Sequence, residues 1–159
     1  MRTIKFRAKN LNGVWYYGSL VHSILGVKIY FQTGNGSEKR MDWVYVNQET
    51  IGQFTGLYDA HGKEIYEGDI IKSTDYPFMD EGKVNYLGIV SCDTHDAIGE
   101  FYVMLYVTKE SERRGISNFT NKSFYDLQME NVEVVGNIFD NKGMFRDSDD
   151  EIMLWYLED

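Results

Sequence analysis

Four glycines within seventeen residues, Gly52, Gly56, Gly62 and Gly68, set the tightest limit on what this chain can fold into. They punctuate the stretch Thr50–Lys72, TIGQFTGLYDAHGKEIYEGDIIK. A helix interior loses roughly 1 kcal/mol at each glycine relative to alanine, so a helix across this stretch is disfavoured. The residues between the glycines include Phe54, Tyr58, Ile65 and Tyr66, types that suit a pleated, half-buried surface. The stretch therefore reads as short strands joined by tight turns. Asp59-Ala60-His61-Gly62 is a hairpin turn between strands at Phe54–Leu57 and Glu64–Tyr66. Glu67-Gly68-Asp69 is a second turn that opens into a strand at Ile70–Lys72.

Within this stretch each residue type has a structural task. Thr50, Gln53 and Thr55 alternate with Ile51, Phe54 and the glycines. Gly52 and Gly56 permit close backbone approach or bulges. Gly62 suits a turn position of positive φ. Asp69 is placed to accept hydrogen bonds from turn amides, and Glu67 does the same or faces solvent.

The same rhythm runs along the rest of the chain. Ile4, Phe6 and Ala8 alternate with Lys5, Arg7 and Lys9, a period of two. Asn12-Gly13 marks a hairpin turn. Further extended segments are expected at 14–21, 26–31, 43–46, 82–91, 101–107 and 132–139, with a loop at 33–40. Loops or polar turns are expected at 73–81, 93–99 and 109–118, and a short strand or helical turn at 124–129. Helix signals are confined to 118–127 and 148–157. The second carries Ser148 and Glu151 at capping-box spacing. The expectation is a mainly β, β-rich α+β protein. An N-terminal antiparallel region (1–66) precedes an SH3-like small barrel with a C-terminal extension (67–159), the two sharing a core.

Composition narrows the function classes. The chain has 159 residues, of which 43% are hydrophobic and 15% aromatic, which is globular rather than disordered. No apolar run approaches the roughly 18 residues of a membrane span. The start has positive charge but no apolar region behind it, so it reads as a strand rather than a signal peptide. Cys92 is the only cysteine, which excludes an intrachain disulfide and a thiolate-rich zinc site and fits a reducing compartment. The formal charge of -9 is unevenly spread: residues 1–50 sum to +4 and residues 51–159 to -13. Cytoplasmic localisation is expected, with no membrane contact.

Three blocks together resemble the YopX family of phage and prophage proteins. They are IKFRA at Ile4–Ala8, the Thr50–Lys72 stretch, and VVGNIF at Val134–Phe139 followed by Asp140-Asn141. The last block carries Gly136 and Asn137. The blocks stand in the family's order and frame nearly the whole chain. Lys9 stands where an aromatic commonly follows the opening block. The resemblance implies a small β-rich protein, with a more barrel-like C-terminal part, encoded by a phage or prophage. The family has no established activity, so the resemblance assigns no catalytic or binding residue.

Each chemistry-bearing group of residues has a plainer structural reading. Cys92-Asp93-Thr94-His95-Asp96 holds a thiol near an imidazole, but such pairs are usually assembled from distant segments with a third orienting group. A polar hairpin is the simpler reading. The acid groups Glu64/Glu67/Asp69, Asp80/Glu81, Glu110/Glu112 and Asp147/Asp149/Asp150 lack a pattern that fixes them around a metal. His22, His61 and His95 have no ligand spacing. Gly34-Asn35-Gly36 lacks the Lys-Ser/Thr of a phosphate loop. No catalytic, metal or cofactor site is assigned. The surplus aromatics are the remaining signal. Trp15, Tyr16, Tyr17, Trp43 and Tyr45 are the candidate interface.

The leading expectation is a non-enzymatic accessory protein that forms a homo-oligomer or binds a host or phage protein. Nucleic-acid binding by the basic start (Arg2, Lys5, Arg7, Lys9) and nearby aromatics is the alternative. A metal-dependent hydrolase or nuclease comes last.

Overall fold

A computed structural model describes residues 3–73, 86–92, 101–106, 120–123 and 129–141. Eleven strands occur among them: β1 (Phe6–Lys9), β2 (Trp15–Ser23), β3 (Gly26–Thr33), β4 (Arg40–Tyr45), β5 (Gly52–Tyr58), β6 (Glu64–Tyr66), β7 (Asp69–Ser73), β8 (Tyr86–Cys92), β9 (Phe101–Tyr106), β10 (Thr120–Ser123) and β11 (Val132–Asn137). The described residues contain no α-helix, only short 3-10 turns at Gly36–Glu38, Gln48–Thr50 and Met129–Asn131. The mainly β reading therefore holds. The chain divides into two compact units, Met1–Leu57 and Tyr58–Asp159.

In the first unit the strands run in the order β4-β3-β2-β1-β5, with antiparallel neighbours. The β1–β2 hairpin closes where the sequence places it. Gly13 has φ +81, and the Asn10 side-chain oxygen accepts from the amides of Asn12 and Val14, each at 2.9 Å. Register then sorts the side chains. Ala8 lies opposite Tyr16, Leu20 opposite Ile29, and Ile29 opposite Val44. Because side chains alternate between faces, these residues share one face. Ala8, Val27, Ile29 and Val46 are its buried centre, with Tyr16, Leu20, Phe31, Val44 and Ile51 packed against them. Burying a side chain such as Ile29 contributes roughly 1.5–3 kcal/mol. The expected apolar trio of β1 is incomplete: Ile4 precedes the strand and is 70% exposed.

The second unit holds an antiparallel sheet in the order β10-β9-β8-β7-β11. β7 lies between β8 and β11, with Asp69, Ile70, Ile71 and Ser73 buried. Ile89 and Val90 of β8 and Val132 and Val134 of β11 are buried on its flanks. β11 follows β7 in register until a bulge between Val134 and Gly136.

This sheet differs from the expected small barrel. β10 and β11 are its two ends and do not pair with each other, so the described strands form an open sheet. Strand rhythm reports how many short strands there are, not whether the first meets the last. The expected helix at 118–127 is also corrected where it is described. Residues 120–123 are strand β10, paired with β9. The readings at 74–85, 93–100, 107–119, 124–128 and 142–159, including the second helix signal, lie outside the described residues.

Candidate functional site

Two groups of residues stand out, one buried and polar, the other exposed and ring-rich. The buried group is built from the glycine-rich stretch. Asp59 opens the turn before β6. One of its carboxylate oxygens accepts from the amides of His61 and Lys63, both at 2.9 Å. The other accepts from the amide of Val134 on β11 at 3.0 Å, seventy-five residues away in sequence. The amide of Ala60 donates to the Val132 carbonyl at 2.8 Å, so two bonds tie this turn to the closing strand. Burial alone would push the Asp59 carboxyl up. The amides of Val134, Lys63 and His61, together with the charge of His61, outweigh burial and hold it below the usual carboxylate range.

The second turn completes this clasp. Asp69 is 1% exposed and accepts from the Tyr66 amide at 2.8 Å. Gly68 has φ +79; its amide donates to the Val90 carbonyl at 2.8 Å and its carbonyl accepts from Ile138 at 2.9 Å. A β-carbon there would stand 3.1 Å from the Phe139 ring. One more β-carbon is excluded at Gly136, where it would stand 2.6 Å from the Asn141 side-chain oxygen. That oxygen accepts from the Asn137 amide at 3.1 Å. Asn137 in turn accepts from Phe139 and Asp140 and donates to the Asp140 carboxylate at 2.9 Å. Gly62, at φ +80, donates its amide to the Asp59 carbonyl at 2.9 Å, so Gly62, Gly68, Asp69, Gly136 and Asn137 all serve turns and strand closure.

The other motif residues are scattered. Gly52 and Gln53 pair with Arg7 and Phe6 in the first unit. Thr55 accepts from the Leu57 amide at 3.2 Å. Gly56 has φ +88 and is exposed, and Glu67 is half-buried.

The ring-rich group covers the face of the first sheet opposite its core. Lys9 lies across from Trp15, Arg7 from Tyr17, Lys28 from Tyr45, and Tyr30 from Trp43. Cations settle over the rings. The Lys28 ammonium is 3.6 Å from the Trp43 ring centre and 4.6 Å from that of Tyr45. Arg7 and Lys9 stand 4.9 and 5.2 Å over Trp15, and Lys5 is 5.8 Å from Tyr17. Trp43 and Tyr45 meet edge to face at 5.4 Å. Tyr17, Val21, Met41 and Trp43 are exposed large apolar residues, and strand parity puts all four on this face. Of the five candidate interface residues, Tyr16 alone turns inward, packing on Phe31 with ring centres 5.0 Å apart.

Charge is sorted in the same way. The acids of the first unit are Glu38, Asp42 and Glu49. Glu38 and Glu49 sit in 3-10 turns, and Asp42 lies opposite Phe31 at a core-side position. The outer face of β1–β4 therefore carries Lys9 and Lys28, half-buried, and Arg7, which is 5% exposed, while the one acid of these strands lies on the other side. Asp42 has another task. The Val46 amide donates to the Val27 carbonyl at 3.0 Å, which fixes the alternation along β4 and points the Trp43 amide away from β3. The Asp42 carboxylate accepts from that amide at 2.8 Å and caps the free edge.

Sequence reasoning missed Lys28, Val21 and Met41 on this face. Their signal was the alternation Lys28-Tyr30 set against Trp43-Tyr45, visible only once those strands are paired. The remaining candidates stay apart or undescribed. Cys92 ends β8, while His95 lies outside the described residues. The His61 imidazole is 4.0 Å from the Glu133 carboxylate, and both are well exposed. Among the described residues no three His, Cys, Asp or Glu side chains gather where a metal ion could be held. None of the described helical turns is long and apolar enough to cross a membrane.

No curated protein matches this chain. Among solved structures it is similar to the crystal structure of protein EF1440 from Enterococcus faecalis, at 16% identity and a TM-score of 0.43, over 90% of this chain and 98% of that one. The family model described as YopX protein matches residues 5–145, and the chain belongs to the YopX family.

Proposed function

We propose that this protein is a non-enzymatic accessory module of phage or prophage origin, acting in the bacterial cytoplasm by binding a macromolecule through the outer face of its first sheet. The observation that carries this reading is the gathering of Tyr17, Val21, Met41 and Trp43 on one face, each more than 40% exposed. Singly exposed apolar residues are ordinary; four on one sheet face beside cations and no strand carboxylate are the makings of a docking surface. The polar residues of the clasp support the same reading from the other side. Asp59 and Asp69 are engaged with backbone donors, which suits a structural role.

Oligomerisation through the edge of β4 finds less support than docking on the face, because Asp42 already occupies the outward Trp43 amide. A second copy, or a host or phage protein, would bind by laying a complementary surface over the rings.

The test is a titration of nitrogen-15-labelled protein, read at the indole signals of Trp15 and Trp43 and the backbone signals of β2–β4. Titrants are a polyglutamate peptide, an oligothymidylate, and the protein itself over a wide concentration range. Shifts centred on Tyr17, Lys28 and Trp43 with one of these support the face. Shifts confined to other residues, or none with any titrant, refute it.

A further inference from the structure

We infer that Asp42 is a gate on a self-complementary strand edge: its carboxylate keeps β4 from pairing with β4 of a second copy, and its removal joins two chains through one continuous sheet. The site is the edge of the first sheet rather than its outer face, so it stands apart from the docking proposed above.

β4 ends the strand order, and among the described residues no strand pairs with its outer side. The Val46 amide points to β3, so alternation sends the amides and carbonyls of Met41, Trp43 and Tyr45 the other way. A row of outward backbone groups is a template for another strand. Bulk does not shield it, since Met41 is 62% exposed and Trp43 45%. The guard is the one acid of the strand. The Asp42 carboxylate turns onto the next residue and accepts from the Trp43 amide, the middle donor of the three, at 2.8 Å.

The place of Asp42 on the strand is a second, independent sign. Arg40, Asp42 and Val44 share the core side of β4, opposite Thr33, Phe31 and Ile29. Phe31 and Val44 pack against the buried centre, and Asp42 sets an exposed charge beside them. Water reaches that carboxylate only while the edge is open. A strand laid alongside takes the Trp43 amide from it and strips its water, which an unpaired carboxylate resists. A charge pointing inward on an edge strand blunts that edge.

Symmetry selects the second copy as the strand held off. Met41, Trp43 and Tyr45 are evenly spaced along β4. A two-fold axis through Trp43 sets Met41 opposite Tyr45 of the second copy, and each outward amide meets a carbonyl. Asp42 then faces Val44, a neighbour suited to a β-branched residue and not to a carboxylate.

The test is sedimentation velocity of the full chain and its variants from about 1 to 100 µM. The native chain should form no dimer that Met41→Pro abolishes. Asp42→Thr and Asp42→Gln both remove the charge and should dimerise, with association strengthened about 100-fold, roughly tenfold for each carboxylate lost from the dimer. Adding Met41→Pro to Asp42→Thr should return the monomer, because proline removes an outward donor and spares the bonds to β3. Adding Met41→Thr instead, which loses the same side chain and keeps the amide, should leave the dimer. Circular dichroism checks that each variant folds. The gate is overturned if neither Asp42 variant dimerises at about 100 µM, if the dimer survives Met41→Pro, or if the native chain already pairs through this edge.

Discussion

The clasp around Asp59 and the outer face of the first sheet use polar and aromatic residues in opposite ways. In the clasp, Asp59 is 7% exposed and Asp69 1%, and each carboxylate is spent on backbone amides that a turn leaves without partners. On the outer face, Trp43 is 45% exposed, and Lys28 lies over its ring rather than in an ion pair with a carboxylate. In this contrast the glycine-rich motif serves turns and strand closure, while the ring-rich face carries no motif at all. Turns demand particular residues at particular φ values, and a binding face needs only residue types on alternate positions.

Substitutions can break this comparison, and the largest effect belongs to Asp59. Asp59→Ala removes the acceptor for three amides, one of them on β11, and should cost about 3 kcal/mol, read by urea unfolding. Gly68→Ala comes next. It forces a side chain into φ +79 and against Phe139, and should cost about 2 kcal/mol by the same measurement. An equal loss from an outer-face residue would erase the distinction between the two regions.

Acid sharpens it. The Asp59 carboxyl is held below its ordinary range in the folded chain, so its contribution is complete above the unfolded value of about 3.9 and is lost as pH falls through the folded one. The native protein should lose urea resistance below about pH 4 more steeply than Asp59→Asn, which has no charge to lose. Parallel pH profiles would assign the acid sensitivity to other carboxylates. The smallest effect is expected on the outer face. Lys28→Gln should change stability by about 1 kcal/mol or less, the usual worth of a surface cation–π contact.

Much of the fold is legible in the residues. The glycine spacing places β5, β6 and β7 and both turns between them, and Asn12-Gly13 places the first hairpin. Closure is not legible: nothing in β10 or β11 says whether they meet, because that depends on twist and register summed over the sheet. The aromatic clusters are legible as a surplus, not as a face. Tyr16 and Tyr17 are neighbours of one kind, yet Tyr16 packs on Phe31 in the core and Tyr17 is exposed. Only the pairing of β2 with β1 and β3 decides which is which. The tie from Asp59 to Val134 is hidden for a similar reason, since a turn carboxylate announces its local amides but not a strand seventy-five residues on.

The division of labour between clasp and face is tested most directly by urea midpoints of Asp59→Ala and Lys28→Gln measured side by side. With an m-value of roughly 2 kcal/mol/M, the first should fall by about 1.5 M and the second by no more than about 0.5 M. Comparable midpoints for the two variants, or a larger fall for Lys28→Gln, would contradict it.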